Sequence, residues 1–190
     1  MRAREFHALL SRATGATIGE IDQRTRFLRA TGNVKSGARG LAAPDIETTE
    51  AACMLLAMVS RRASDAGEIF LKTANLTAIP IGGGKLLDSA KLCTVIASIF
   101  SIPADWSDAM EVRRIEIEEN GEYAWLRLAG MDILFSNDQT IREWVSEFPD
   151  AYENQYGASA RRHFVVGGGL LYQAALEVAG ADEPAKYAEA

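Results

Sequence analysis

The sequence predicts an α+β protein, and three observations lead there. Apolar residues recur at helical spacing through the N-terminal half of the chain. From Met110 the period changes to alternation around an Asn-Gly pair, the pattern of a β-hairpin. Between the two patterns, residues 77–84 carry Pro80 and three consecutive glycines, a composition typical of a linker. The expected organisation is an N-terminal, helical, winged-helix-like module over residues 1–79. Residues 80–190 would then hold a helical connector and an antiparallel β-meander with helices, suited to dimerisation or partner binding.

Each element has its own local signal. Residues 3–13 place Phe6, Leu9 and Leu10 on one helical face among Arg2, Arg4, Glu5 and Arg12, and Gly15 follows where a left-handed cap is expected. Thr17 with Glu20 three positions later is a capping box, opening a second helix whose apolar stripe is Ile18, Ile21, Thr25 and Leu28. Gly32 closes it. Residues 32–40 hold three glycines with Lys35 and Arg39, a flexible basic loop or short hairpin ahead of Pro44. A third helix is expected from Thr48 or Thr49 through Met54, Leu55, Met58 and Val59 to about Arg61. A fourth covers 64–75 and a fifth 86–100. Strands follow at 113–118, 123–128 and 131–135, joined by Asn120-Gly121 and Ala129-Gly130. A helix through Ile141, Trp144 and Val145, a short strand at 162–166, a Gly167–Gly169 bend and a helix at 170–178 complete the reading.

The charge is unevenly divided. The formal net charge of the 190 residues is −6, which on its own speaks against a nucleic-acid coat or membrane-surface protein. Residues 1–43, however, carry eight Arg or Lys against three acids, a local +5, and the remainder carries −11. Charged residues at 24% and hydrophobic residues at 48% are those of an ordinary globular protein.

Several chemistries find no pattern. Cys53 and Cys93 sit in separate apolar runs without a CxxC pair, and read as small core residues in a reducing cytosol. His7 and His163 have no metal-ligand spacing, so no metal and no other cofactor is expected. Gly82-Gly83-Gly84-Lys85 is followed by Leu86, not Ser or Thr, and Ile79 stands where a phosphate loop needs its first glycine. Gly167–Gly169 likewise misses a dinucleotide fingerprint, with Tyr172 at the last position. No nucleophile elbow or carboxylate pair points to catalysis, and no enzyme is expected. The acidic run Glu116, Glu118, Glu119 and Glu122 reads as a solvated surface around the hairpin turn. Tyr123, Trp125 and Arg127 share a face, and packing against a helix or a dimer partner is preferred over base stacking. The longest nearly unbroken apolar run, 51–59, is about half of the roughly 20 residues a spanning helix needs. Residues 1–10 have no signal-peptide core, so a soluble, cytoplasmic protein is expected.

The basic N-terminal unit suits a helix-turn-helix with a wing. One helix braces, the next offers its outer face to the major groove, and a cationic loop reaches phosphate. In the second helix Gln23, Arg24, Arg26 and Arg29 would enter the groove, with Lys35, Ser36 and Arg39 on phosphate. A solvated helix is the plain alternative. The charge split, the helix pair and the basic loop agree on DNA. Asp22 on the same face is an objection, because it repels phosphate unless it accepts from a cytosine amine.

One resemblance adds to this. Leu9-Leu10-Ser11-Arg12-Ala13-Thr14-Gly15, Leu28-Arg29-Ala30-Thr31-Gly32 and Gly37-Ala38-Arg39-Gly40-Leu41-Ala42-Ala43-Pro44-Asp45 resemble poorly characterised proteins encoded by phages and prophages of alphaproteobacteria. The resemblance implies a phage-associated helix-turn-helix protein and carries no catalytic residues. The combined expectation is a sequence-specific binder of double-stranded DNA, a homodimeric transcriptional regulator. The alternatives are a packaging component resembling a small terminase subunit, an assembly component, or a protein-binding inhibitor or adaptor that works through the acidic C-terminal part.

Overall fold

Local capping sets the first two elements. The computed structural model describes residues 1–36, 45–79, 89–101, 112–129, 132–147 and 163–179. Helix α1 (Ala3–Thr14) begins where the Arg2 N–H donates to the Glu5 carboxylate at 2.8 Å, and ends at Gly15. Helix α2 (Ile18–Ala30) forms the predicted capping box: the Thr17 N–H donates to Glu20 at 2.8 Å, and the Glu20 N–H returns to the Thr17 hydroxyl at 3.3 Å.

Helix α3 (Thr48–Leu56) stops short of the predicted end near Arg61. The Met58 and Val59 N–H groups bond three residues back, to Leu55 and Leu56 at 3.0 and 3.2 Å, which tightens the last turn. The Ser60 carbonyl is taken by a side chain from α2 instead of by the helix. Helix α4 (Ala66–Ala74) follows, then the two-residue strand β1 (Ala78–Ile79).

Helix α5 (Leu92–Ser101) starts later than predicted. Ser89 has a φ of 64°, and residues 89–91 lie alongside 76–78: Ala78 N–H donates to Ala90 at 2.9 Å and Leu92 N–H to Leu76 at 2.8 Å. These long-range bonds compete with the first helical turn, and a periodicity count cannot register them.

The predicted meander forms as β2 (Val112–Glu118), β3 (Tyr123–Leu128) and β4 (Asp132–Ser136). Helix α6 (Gln139–Glu147), strand β5 (His163–Gly167) and helix α7 (Gly168–Ala179) complete the described chain. The five strands form one antiparallel sheet in the order β1-β4-β3-β2-β5. The expected strand-to-helix bend at Gly167–Gly169 is where β5 ends and α7 begins, with no residue between them. Gly168 is required there, since a Cβ on it would stand 1.8 Å from the Val112 carbonyl oxygen.

Alternation gives the sheet two working faces. Ile115, Ile117, Ala124, Leu126, Ile133, Phe135 and Val166 face the main core with α1–α5 and α7. Tyr123, Trp125 and Leu134 point the other way and pack with Ile79 against Ile141 and Val145 of α6. The preferred reading of the aromatic hairpin face, packing against a helix, is therefore the one observed.

The main core draws on both sides of residue 79, with Phe6, Leu28 and Leu56 on one side and Ile96, Ile117, Leu126 and Leu171 on the other. Strand β1 also pairs with β4 across that position. Of the expected linker at 77–84, residues 77–79 are instead built into the fold, with Ala78–Ile79 forming β1, and 80–84 lie outside the described residues. The Asn120-Gly121 turn docks on α4: Gly121 has a φ of 75°, and a Cβ there would meet Lys72 Cβ at 3.0 Å and Thr73 Cγ2 at 3.1 Å. Glu118 departs from the solvated reading. It is 1% exposed, and its carboxylate accepts from the Asn120 N–H at 3.0 Å and the Asn120 side-chain amide at 2.9 Å. With the turn seated on a helix, an internal carboxylate satisfies donors that water would otherwise take.

Candidate functional site

The inner face of α2 is Ile21, Arg24, Thr25 and Leu28, all buried. Ile18, predicted in that stripe, is 48% exposed. Arg24, predicted to enter a DNA groove, takes an interior position: it is 5% exposed, and its Nη2 donates to the Ser60 carbonyl at 2.9 Å and to the Arg61 carbonyl at 3.4 Å. A carbonyl freed by the short α3 thus receives a guanidinium, and the expected groove contact becomes a tie between α2 and the turn after α3.

Beside Arg24, Thr25 and His7 form a buried pair, with 3.1 Å between Thr25 Oγ1 and His7 Nε2. The Thr25 hydroxyl also stands 2.8 Å from the Ile21 carbonyl, to which it donates. Burial lowers the His7 pKa, the Arg29 cation lowers it further, and Asp22 opposes both.

The outer face carries Gln23 and Arg26, both exposed, with Asp22 and Arg29 partly buried. Arg26 donates through Nε at 3.0 Å and Nη2 at 2.8 Å to one oxygen of Asp22, and Arg29 Nη1 stands 3.6 Å from the other. One carboxylate therefore faces two guanidiniums, leaving one net positive charge and holding both in a set direction. Arg26 keeps its remaining N–H groups for an outside acceptor.

The chain after α2 is tied down through Lys35. Asn33 and Val34 N–H groups both return to the Leu28 carbonyl, at 2.8 and 3.2 Å, and Val34 is buried. The Lys35 N–H donates to Glu50 at 2.6 Å, its ammonium pairs with Glu47, and Ser36 is exposed. The Glu47 partner raises the Lys35 pKa. Arg39, with the rest of the predicted wing at 37–44, lies outside the described residues.

A second polar assembly occupies the α6 side of the sheet. Arg127 lies opposite Arg114 on β2 and Asp132 on β4. It pairs with Asp132, approaches Glu116 at 3.5 Å and stacks 4.3 Å from the centre of the Trp125 ring. Arg114 donates to Glu116 at 2.6 Å. The ladder slips between Val112 and Arg114, so Arg113 and Arg114 are both exposed instead of alternating. Arg113, Arg114, Arg127, Leu128 and Asp132 line an open cavity of about 420 Å³.

Sequence reasoning missed this assembly, because cross-strand pairing and a bulge bring its members together. The Ala129-Gly130 turn was the available signal, since it predicts that residues flanking it face one another. Among the described residues, no group of three His, Cys, Asp or Glu could hold a metal ion, and no helix is long and apolar enough to cross a membrane. Compared with protein-family models, curated proteins and solved structures, the chain matches none.

Proposed function

We propose that the protein binds double-stranded DNA through α2 and acts as a phage- or prophage-associated transcriptional regulator, most simply as a homodimer. The observation that carries this is the two-sided build of α2. Its inner face is anchored by Ile21, Arg24, Thr25 and Leu28, while Gln23 and Arg26 stand exposed on its outer face with Arg29 beside them. A helix held from behind, with aimed hydrogen-bond donors in front, suits the major groove. Lys35, Ser36 and Arg39 supply phosphate contacts in a winged-helix-like module, and Asp22 orients Arg26 and Arg29. Arg24 positions the helix and takes no part in contacting DNA. The charge split supports the reading, because +5 near α2 attracts the duplex and −11 elsewhere limits non-specific adhesion.

The test is fluorescence anisotropy of the full chain against genomic fragments across a salt series. Binding at low salt that weakens as salt rises is expected. Arg26→Ala/Arg29→Ala should weaken it at least tenfold and flatten the salt slope by roughly two. Absence of binding at low salt overturns the reading, and indifference to the double substitution moves the interface away from α2.

The cavity on the sheet favours a second reading, in which a small anionic ligand binds among Arg113, Arg114 and Arg127. Calorimetric titration with inorganic phosphate and with simple dicarboxylates checks it, and Arg113→Ala should abolish any heat observed.

A further inference from the structure

The chain has two cysteines, and the fold brings both to one contact. Cys53 lies on α3 and is buried; Cys93 lies on α5 and is partly exposed. Their sulfurs stand 3.7 Å apart, with both thiols free. The helices that carry them are packed side by side within the main core. A packing role alone needs no second thiol opposite the first, since any small apolar side chain would fill the space.

We infer that Cys93 and Cys53 form a hydroperoxide-sensitive thiol pair that closes to an intramolecular disulfide clipping α3 to α5. The inference stands on the sulfur geometry and is independent of the DNA-binding reading. Cys93 is the more exposed of the two residues and takes the oxidant. The contact between the two sulfurs holds the Cys93 pKa down against the opposing effect of burial, whereas the same contact, together with burial, raises that of Cys53 and keeps it protonated.

In the first step the Cys93 thiolate attacks one oxygen of the hydroperoxide. An S–O bond forms, the O–O bond breaks, and the displaced hydroxide or alkoxide leaves as water or alcohol after taking a proton. In the second, the Cys53 sulfur attacks the sulfenic sulfur of Cys93, its thiol proton leaves with the departing hydroxyl as water, and the S–S bond forms. Two thiols are oxidised by two electrons and one hydroperoxide is reduced. A disulfide is about 2.05 Å long, so the sulfurs, 3.7 Å apart, must close by roughly 1.7 Å. The two cysteines stand 40 positions apart, and the ring encloses α4 and β1. Oxidation thereby restrains the unfolded chain and locks the scaffold on which α2 rests.

The experiment treats the full chain with graded hydrogen peroxide, then counts free thiols and maps tryptic peptides without reduction. Both thiols should disappear together, the intact mass should fall by two hydrogens, and the Cys53 and Cys93 peptides should be joined. Dithiothreitol should reverse all three changes. The oxidised form should melt roughly 10 °C higher, from the loop-closure restraint on a chain of this size. In Cys53→Ser, which cannot resolve the intermediate, dimedone should label Cys93. Persistence of both thiols at peroxide doses that fully oxidise glutathione overturns the inference, as does cross-linking between chains. If Cys53→Ser does not fold, the wild-type peptide map decides alone.

Discussion

Arg24 in the helical layer and Arg127 on the sheet are both drawn into the molecule, and they are treated differently. Arg24 is 5% exposed and bonds to neutral carbonyl oxygens; among the described residues it makes no ion pair. Arg127 keeps 19% of its side chain exposed and is met by two carboxylates and an indole ring. A buried cation with neutral partners cannot move without leaving its charge unsolvated, so Arg24 fixes where α2 sits. A cation among carboxylates beside an open cavity can exchange one anionic partner for another, which is what the proposed anion binding at Arg127 requires. The first arginine therefore belongs to the scaffold and the second to a surface that a ligand can reach.

The largest test of this contrast is Arg24→Ala. It removes a buried side chain and strips the Ser60 carbonyl of its donor, and should lower stability by about 3 kcal/mol in urea unfolding. A loss within experimental error would mean that α2 is held by its apolar residues alone. Arg127→Ala should lose less, about 1–2 kcal/mol, because water entering the cavity can solvate Glu116 and Asp132. Equal losses at the two positions would erase the distinction.

His7, on the buried side of α2, sharpens the contrast through pH. Its folded pKa lies below the ordinary 6.5, so the unfolded chain takes up the proton first. Stability should fall as pH drops below about 6.5, and the effect should be absent at higher pH where both states are neutral. In a His7→Gln variant, denaturation midpoints measured from pH 7 to pH 5 should lose that part of the slope. The smallest effect on stability belongs to Arg26→Ala. Exposed and, among the described residues, paired to Asp22 alone, it should change unfolding by less than about 0.5 kcal/mol, while DNA affinity at low salt falls several-fold. A large stability change there would assign Arg26 to the scaffold as well.

Much of the architecture was legible residue by residue. Thr17 and Glu20 announce the start of α2, Gly15 ends α1, and Asn120-Gly121 between alternating runs names the β2–β3 hairpin. All three are local devices, complete within a few positions of chain. The misread features have distant partners. Helix α5 begins late because residues 89–91 bond to 76–78. Glu118 turns inward because its hairpin seats on α4. Arg24 looked like one of several cationic residues on a solvent face, and a helical wheel cannot tell which polar residue will find a carbonyl in another element.

The amino-acid sequence alone therefore determined the α+β class, the caps of the first helices, the antiparallel meander and the concentration of positive charge near the N-terminus. Each follows from short-range stereochemistry or from composition, which do not depend on how the chain closes. Tertiary structure alone decided which arginine of α2 is interior, how Arg113, Arg114 and Arg127 come to share a cavity, and that Cys53 and Cys93 meet. Those outcomes depend on helix ends, a strand bulge and helix–helix contact, where residues distant in sequence compete for the same hydrogen bonds and the same space.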